Sequence, residues 1–333
     1  MSRAGYVPLG ERMATASEPL LRNLVRLPLL RWLFNALGRL AISGRGAVVL
    51  VPYAWLLLFF AIPFVIVLEI SFADQIIAQP PYTALLQWTA DNYLNIKLNL
   101  GNYLFLIQDP LYWNAYLNSV KIAFLSALMC LLIGYPMAYG MARADEAWRN
   151  VLLMLVVLPF WTSFLLRVYA WIGILNNTGL INNWLLALGI IHEPITMIRT
   201  NFAVYVGIVY SYLPFMILPL YSTLEKLDDT LLEAAADLGC RPFKAFLTIT
   251  LPLSMPGVVA GFSLVFIPAL GEFVIPDLLG GKDSLMIGHV LWDEFFANRA
   301  WPVASAVAIA MLTLVLLLMA LQRKLERQAE APR

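Results

Sequence analysis

The chain has 333 residues, of which 61% are hydrophobic and 13% are charged, and its formal net charge is +1. So little charge over this length excludes an ordinary water-soluble domain and is typical of a membrane protein. A net charge this small also excludes recruitment of nucleic acid by a global positive field. The positions of the charges are therefore more informative than their sum.

Residues 1–46 form a basic segment in which arginines interrupt every apolar stretch, so a cleaved signal peptide is not expected. Four arginines between residues 20 and 42 alternate with leucines and two aromatic residues. This pattern favours an amphipathic helix in the anionic inner interface of the membrane. A basic tail that only enforces orientation explains it equally, and both interpretations stay open.

Six apolar segments are each long enough to cross the hydrocarbon core, which takes about 20 residues of helix. They cover residues 47–72, 115–142, 150–173, 203–224, 253–276 and 301–322. The sequence therefore predicts an all-α integral membrane domain of six transmembrane helices over residues 47–322. An even number of spans places both termini on one side of the membrane.

Lysine and arginine are distributed unevenly among the segments that connect these spans. Most lie at the two termini, including a basic tail at 323–333, or in the second and fourth links. Because basic residues resist translocation, we expect both termini, the second link around Arg143 to Arg149 and the fourth link, residues 225–252, in the cytoplasm. We expect the protein in the bacterial inner membrane, with the other links facing the periplasm. The basic residues of those links are Lys97, Arg199, Lys282 and Arg299.

The fourth link contains its own helix start and stop signals. Thr230 and Glu233 have the spacing of a capping box. Gly239 suits the left-handed conformation that closes a helix, and Pro242 suits the first turn of the next helix, which we expect to break at Pro252. The sequence thus predicts two short helices that meet at a sharp turn, with a face narrow enough to enter a groove of another protein.

This link resembles the EAA signature of the permeases of binding-protein-dependent ABC importers. Its anchors are Glu233-Ala234-Ala235, then Gly239, then Ile249-Thr250-Leu251-Pro252. The resemblance implies a coupling helix that docks into a cytoplasmic ATPase, with Glu233, Ala234, Ala235 and Gly239 carrying that role. A plain helical connector is the alternative. Five acidic residues between 225 and 237 argue against a DNA-binding helix, so no nucleic-acid partner is expected.

No phosphate-binding loop for ATP is visible in the sequence. Gly281-Lys282 is followed by Asp283 instead of Ser or Thr, and the upstream glycine of such a loop is missing. We therefore expect a transport subunit that is not an enzyme and carries no cofactor. The resemblance implies that a separate ATPase subunit binds ATP and Mg²⁺.

From about residue 45 to its end, the chain resembles the putrescine permease subgroup of this family. Residues 159–171, 271–281 and 291–296 carry the resemblance, and spermidine permeases share the first two stretches. Putrescine, spermidine and another cation such as an amino-acid derivative therefore stay open. The resemblance implies the type I ABC importer fold, alternating access, a homologous second permease, two ATPase subunits and a periplasmic polyamine-binding protein.

The chemistry of a cationic substrate points independently to certain residues, because carboxylates and aromatic faces stabilise an ammonium group that leaves water. Trp161, Thr162 and Tyr169 lie in the third predicted span, and Glu272 and Asp277 lie near the end of the fifth. We expect Trp161 and Thr162 near the bilayer midplane, where a closed pathway would be gated. Packing between neighbouring helices is the alternative for each aromatic residue.

Glu272 has two possible roles. With a rise of about 1.5 Å per residue, Glu272 and Arg167 are expected at the same membrane depth. A structural ion pair between them needs no substrate, whereas a free carboxylate would guide a passing cation. Both interpretations remain open from the sequence.

A membrane-embedded enzyme and an ion-coupled secondary transporter are the two rival classes. The sequence has two histidines, His192 and His289, and no nucleophile motif. It also shows no internal repeat of the kind expected of ion-coupled carriers. Cys130 and Cys240 lack the spacing of a metal site or a disulfide framework, and no metal is expected. These observations favour the importer permease.

Overall fold

The computed structural model describes residues 44–88, 94–96 and 98–330 of the chain. Two compact units divide between Glu69 and Ile70. The expectations for the basic segment 1–46 therefore lie outside the described residues except at 44–46, and residues 331–333 of the predicted tail also lie outside them.

The described part of the first unit is helical. Helix α1 (Gly44–Leu56) continues through one turn of π-helix (Leu57–Ala61) into α2 (Ile62–Ser71), whose last residues belong to the second unit. Residues Val49–Ser71 are long and apolar enough to cross a membrane. This agrees with the first predicted span.

The second unit consists of helices and one small hairpin. It begins with β1 (Leu86–Trp88), β2 (Leu94–Ile96), α3 (Gly101–Gln108), α4 (Pro110–Ala142), α5 (Glu146–Val157), α6 (Phe164–Leu175), α7 (Leu180–Ala187) and α8 (Asn201–Leu224). It continues with α9 (Thr230–Asp237), α10 (Pro242–Ala245), α11 (Leu251–Leu270), α12 (Val274–Leu279), α13 (Ile287–Trp292) and α14 (Trp301–Glu330). The two strands pair antiparallel, with Leu86 opposite Ile96.

Six segments of the described chain are long and apolar enough to span a membrane. They are Val49–Ser71, Pro110–Ala142, Phe164–Ala187, Asn201–Leu224, Pro242–Leu270 and Trp301–Ala320. The predicted six-helix membrane fold is confirmed. The bounds of the third and fifth spans differ from the prediction, for local reasons.

The third predicted span, 150–173, is not one helix. After α5 a short 3₁₀ turn covers Leu158–Trp161, Thr162 is extended, and α6 begins at Phe164. Pro159 has no backbone N–H and cannot continue the helical hydrogen bonds. The membrane-crossing segment therefore begins at Phe164 and extends through α7.

The fifth predicted span, 253–276, is displaced toward the N-terminus. Helix α10 continues through a π-helical stretch, Phe246–Thr250, into α11, so the predicted break at Pro252 is wrong. Pro252 lies in the first turn of α11, where a missing N–H is tolerated. The helix ends at Leu270, which leaves Glu272 in the turn between α11 and α12.

Helix α8 packs against α4 and α11 in the core of the second unit. Met216 and Leu220 of α8 are buried in one cluster with Ala127 of α4 and Val265 of α11. Apolar side chains alone do not hold helices together in lipid, so close packing must supply much of the association. The glycines of α11 allow this close packing of α11 against α8.

Gly257 and Gly261 stand four residues apart on α11 and face α8. A Cβ atom at Gly261 would lie 3.0 Å from the carbonyl oxygen of Met216, and one at Gly257 would lie 2.9 Å from that of Pro219. Only a hydrogen atom fits at such distances. Small residues at this spacing allow transmembrane helices to bring their backbones together.

The beginning of α4 and the link between α11 and α14 lie at the same end of the second unit. The Asn118 side chain donates to the carbonyl of Leu285 at 2.9 Å, and the N–H of Ile287 donates to the Ser119 hydroxyl at 2.7 Å. These two hydrogen bonds hold the beginning of α4 against the residues that precede and begin α13.

Candidate functional site

A cavity of about 370 Å³ lies inside the second unit, where the beginning of α6, the middle of α8 and the turn after α11 meet. Its wall contains a carboxylate, a guanidinium group and several aromatic rings. The lining residues are Phe160, Phe164, Arg167, Ser211, Tyr212, Phe215, Pro268, Gly271, Glu272, Phe273 and Val274. A carboxylate beside aromatic faces is the combination that stabilises an organic cation.

Glu272 is buried in this wall, with 8% of its surface exposed. Its Oε2 accepts a hydrogen bond from the Tyr212 hydroxyl at 2.5 Å, and its Oε1 accepts one from the backbone N–H of Val274 at 3.0 Å. The second bond places the carboxyl group at the N-terminus of α12, where the peptide dipoles favour negative charge. Glu272 is thus held by α8 and α12 together.

Arg167, in the first turn of α6, lines the same cavity. Its Cζ lies 5.3 Å from the ring centre of Phe160 and 5.8 Å from that of Phe164. Its Nε and Nη1 atoms are buried and have no hydrogen-bond partner among the described residues. The ion pair with Glu272, one of the two roles left open for that residue, is not formed; Tyr212 and the first turn of α12 hold that carboxyl group instead.

Three other predicted pathway residues lie outside the cavity wall. Trp161 is 75% exposed, and the exposed Thr162 donates its hydroxyl hydrogen to the Pro159 carbonyl at 2.8 Å. Tyr169 is exposed on α6. Exposed aromatic residues on a membrane helix suit contact with lipid or with another subunit. Their role in solute passage remains a prediction.

Asp277 also lies away from the cavity wall, in α12. Its Oδ1 is 3.1 Å from Nε2 of His289 in α13, and Nδ1 of His289 is 3.3 Å from the Asp293 carboxylate. This grouping was missed from the sequence, where only the one-turn spacing of His289 and Asp293 points to it. Within the described ranges, no group of three or more His, Cys, Asp or Glu side chains is placed to hold a metal ion.

Helix α9, in the fourth link, does not begin with the predicted capping box. The N–H of Thr230 donates to Oδ1 of Asp228 at 3.0 Å, and the pair Thr230 and Glu233 does not form a box. This backbone hydrogen bond lowers the pKa of the exposed Asp228 carboxyl from its ordinary value. The N-cap residue, Asp229, makes no side-chain capping bond; Asp228, one residue before it, instead offers an acceptor at the positive helix end.

The predicted turn at Gly239 is confirmed, with a φ of +75°. The N–H of Gly239 donates to the carbonyl of Ala236 at 2.8 Å, and that of Cys240 donates to Ala235 at 2.9 Å. These two bonds form the Schellman motif that closes a helix through a left-handed residue. Pro242 begins α10, as predicted.

The hairpin of α9 and α10 presents large apolar side chains to its surroundings. Leu238 and Phe243, on either side of the turn, are 89% and 73% exposed. Glu233 and Ala234 are exposed as well, whereas Ala235 is buried, so Ala235 is not available to a partner protein. Apolar side chains held out at a rigid turn suit insertion into a groove of another protein.

Two ion pairs, also missed from the sequence, hold the base of this hairpin. Arg143 pairs with Asp229, and Nη1 of Arg149 lies 3.1 Å from Oε1 of Glu225. Arg149 also donates to the backbone carbonyl of Ala142 at 3.2 Å. The second and fourth links, predicted to share one side of the membrane, therefore lie together at one end of the second unit.

Comparison of the sequence with known families identifies one match, to residues 130–330, whose description is "Binding-protein-dependent transport system inner membrane component". The chain is 42% identical over 270 residues to the spermidine/putrescine transport system permease protein PotB of Haemophilus influenzae, covering 81% of this chain and 90% of that protein. It is 41% identical over 267 residues to PotB of Escherichia coli, covering 80% and 92%. It is 30% identical over 243 residues to the inner membrane ABC transporter permease protein YdcU of Escherichia coli, covering 69% and 76%.

The fold is similar to that of two solved structures. One is a bacterial ABC transporter involved in the import of the acidic polysaccharide alginate, with a TM-score of 0.62 and 17% identity, covering 94% of this chain and 100% of that chain. The other is a bacterial alginate ABC transporter in complex with an alginate pentasaccharide-bound periplasmic protein, with a TM-score of 0.66 and 16% identity, covering 94% and 99%. At these identities the similarity concerns the fold alone.

Proposed function

Because the chain belongs to the family of binding-protein-dependent transport system inner membrane components and has the type I ABC importer permease fold, we propose that it carries putrescine or a related polyamine inward across the membrane. It is a transport subunit and not an enzyme. In this proposal it forms half of the translocation pathway.

The observation that carries the proposal is the cavity around Glu272. An ammonium group that leaves water needs a negative partner or aromatic faces, each face contributing about 0.5 to 2 kcal/mol. The cavity offers Glu272 with the rings of Tyr212, Phe215 and Phe273 in one wall. A second cationic end of the substrate would then reach the other half of the pathway, contributed by a partner subunit.

The choice of solute has further support from the relatives. The PotB proteins, which this chain matches over most of its length, are named for spermidine and putrescine together. Spermidine permeases share two of the three stretches that resemble putrescine permeases, so we favour putrescine on the third, residues 291–296, and spermidine is the second candidate. Both substrates are flexible chains of ammonium groups, so the same carboxylate and aromatic wall serves either.

The proposal includes the partners that such a permease needs. They are a homologous second permease, two ATPase subunits that bind ATP and Mg²⁺, and a periplasmic polyamine-binding protein. The hairpin with Glu233, Ala234, Ala235 and Gly239 docks into an ATPase and transmits its closure, which drives alternating access. The termini and the hairpin lie in the cytoplasm, consistent with the basic residues of those segments.

The proposal is tested on the complex assembled with its partner subunits in proteoliposomes. ATP-dependent accumulation of labelled putrescine is expected, with unlabelled spermidine as the competitor that ranks the two polyamines. Glu272→Gln should reduce uptake at least tenfold, while the control Glu193→Gln, at an exposed position, should not. Uptake that needs an ion gradient but no ATP would instead establish a secondary transporter, and uptake of neither polyamine would reject the proposed substrate class.

A further inference from the structure

Arg167 is a charged group of the cavity wall to which the proposed function gives no role. Its guanidinium lies over two phenylalanine rings, with Cζ 5.3 Å from the centre of Phe160 and 5.8 Å from that of Phe164. Two of its nitrogen atoms are buried without a hydrogen-bond partner among the described residues. A cation held by aromatic faces in a cavity that also contains a carboxylate has the chemistry of the substrate itself.

We infer that Arg167 is a tethered competitor of the substrate, which occupies aromatic faces of the empty cavity and must be displaced when a polyamine ammonium group binds. The inference rests on the proposed function, since it assigns a specificity-determining residue to the same cavity. It concerns how tightly and how selectively a cation is held, and not whether the chain transports polyamines.

Displacement follows from geometry and charge. Phe160 and Phe164, the rings under Arg167, line the same cavity of about 370 Å³ as the rings proposed to hold the ammonium group, and two cations that share one cavity repel each other. Glu272 makes no direct ion pair with Arg167; its carboxyl group accepts hydrogen bonds from Tyr212 and from the N–H of Val274. Substrate bound beside Glu272 therefore gains most when Arg167 leaves the cavity.

The Arg167 side chain is only partly buried as a whole. Arg167 lies in the first turn of α6, four residues past Ser163, and its N–H bonds to the Ser163 carbonyl at 3.2 Å. A long arginine near a helix start can change rotamer without disturbing the helix. Only the displaced state binds substrate well. The apparent affinity is therefore the affinity of that state multiplied by the fraction of time that Arg167 spends away from the rings. A low affinity favours release of the substrate to the cytoplasm.

The first experiment measures equilibrium binding of labelled putrescine to the purified complex without the binding protein. Arg167→Gln removes the tethered charge and should lower the dissociation constant about tenfold, which corresponds to about 1.4 kcal/mol. Arg167→Lys keeps a cation and should stay within about threefold of the wild type. Lys121→Gln, at an exposed position on α4 outside the cavity wall, is the matched control. An unchanged or weaker affinity in Arg167→Gln overturns the inference.

A second measurement uses the unaltered complex and does not depend on a variant that folds. Modification by phenylglyoxal, mapped by mass spectrometry, should be slow at Arg167 in the empty complex and several-fold faster with saturating putrescine. The exposed Arg199 should react equally under both conditions. A rate at Arg167 that is equal or lower with putrescine indicates a structural arginine and overturns the inference. If the wild-type complex neither binds nor transports any polyamine, the proposed function fails first.

Discussion

Tyr212 donates a hydrogen bond of 2.5 Å to Glu272, 60 positions further along the chain. The bond joins the middle of α8 to the turn after α11, and Glu272 also accepts the N–H that begins α12. One carboxyl group thus holds three elements together and lines the cavity. Its position is set by packing before any substrate arrives.

The Tyr212 hydroxyl is therefore expected to contribute to both stability and transport. Tyr212→Phe should lower the free energy of unfolding by about 1 kcal/mol, the usual contribution of one such bond, and should slow ATP-dependent putrescine uptake. Tyr210→Phe, at an exposed ring on the same helix, is the matched control. Thermal unfolding of the purified complex and initial uptake rates provide the measurements. Equal effects of the two variants would contradict this role.

Docking of the ATPase should depend on the backbone conformation at Gly239 and not on space around it. A Cβ atom there would meet nothing within 4 Å, but the φ of +75° is costly for most residues. Gly239→Val should add about 1 to 2 kcal/mol of strain and reduce co-purification of the ATPase. Gly239→Asn, which tolerates this conformation, should retain most of it. If both variants bind the ATPase fully, the turn has no role in docking.

The two partners of the ion pair between Arg149 and Glu225 should respond differently to neutralisation. Glu225→Gln leaves Arg149 bonded to the carbonyls of Ala142 and Ala144. Because the pair is partly exposed, this variant should lose less than about 1 kcal/mol of stability. Arg149→Gln removes all these bonds and should destabilise the hairpin more. The rate of limited proteolysis within residues 225–241 compares the stability of the hairpin in the two variants. Faster cleavage in Glu225→Gln than in Arg149→Gln would reverse this ranking.

Close approach of α11 to α8 should make Gly261 intolerant of larger residues. Gly261→Val forces atoms into the carbonyl of Met216, and overpacking of this kind costs about 1 to 3 kcal/mol. Ala260→Val, at the exposed neighbouring position, should be nearly neutral. The melting temperature of the purified complex distinguishes them. Similar melting temperatures in both variants would show that the helices separate without cost.

The orientation in the membrane is tested with cysteine labelling of whole cells. A cysteine placed at Asn95, in β2, should react with an impermeant maleimide from outside. Cys240 is partly exposed and should react only after the membrane is opened. Cys130 is buried and should stay unlabelled in both cases. Labelling of Cys240 in intact cells would invert the topology.

Features that depend on local physics alone could be predicted from the sequence. The length of an apolar run decides whether a helix crosses the membrane, and all six spans were found this way. Gly239 and Pro242 could be placed from their own backbone preferences, which neighbouring elements do not alter. The EAA spacing indicated the family for the same reason, since it lies within one short link.

Which distant groups meet depends on how the helices pack. Arg167 and Glu272 were expected at one membrane depth, and both line one cavity, but depth contains no information on which way each side chain faces or on competing partners. Tyr212, from a third helix, holds the carboxyl group. Asp277 meets His289 because α12 folds beside α13, a relation between two short helices that no periodicity encodes. The spacing of Gly257 and Gly261 was visible in the sequence, yet the backbone of α8 that requires it is apparent only when the helices are packed.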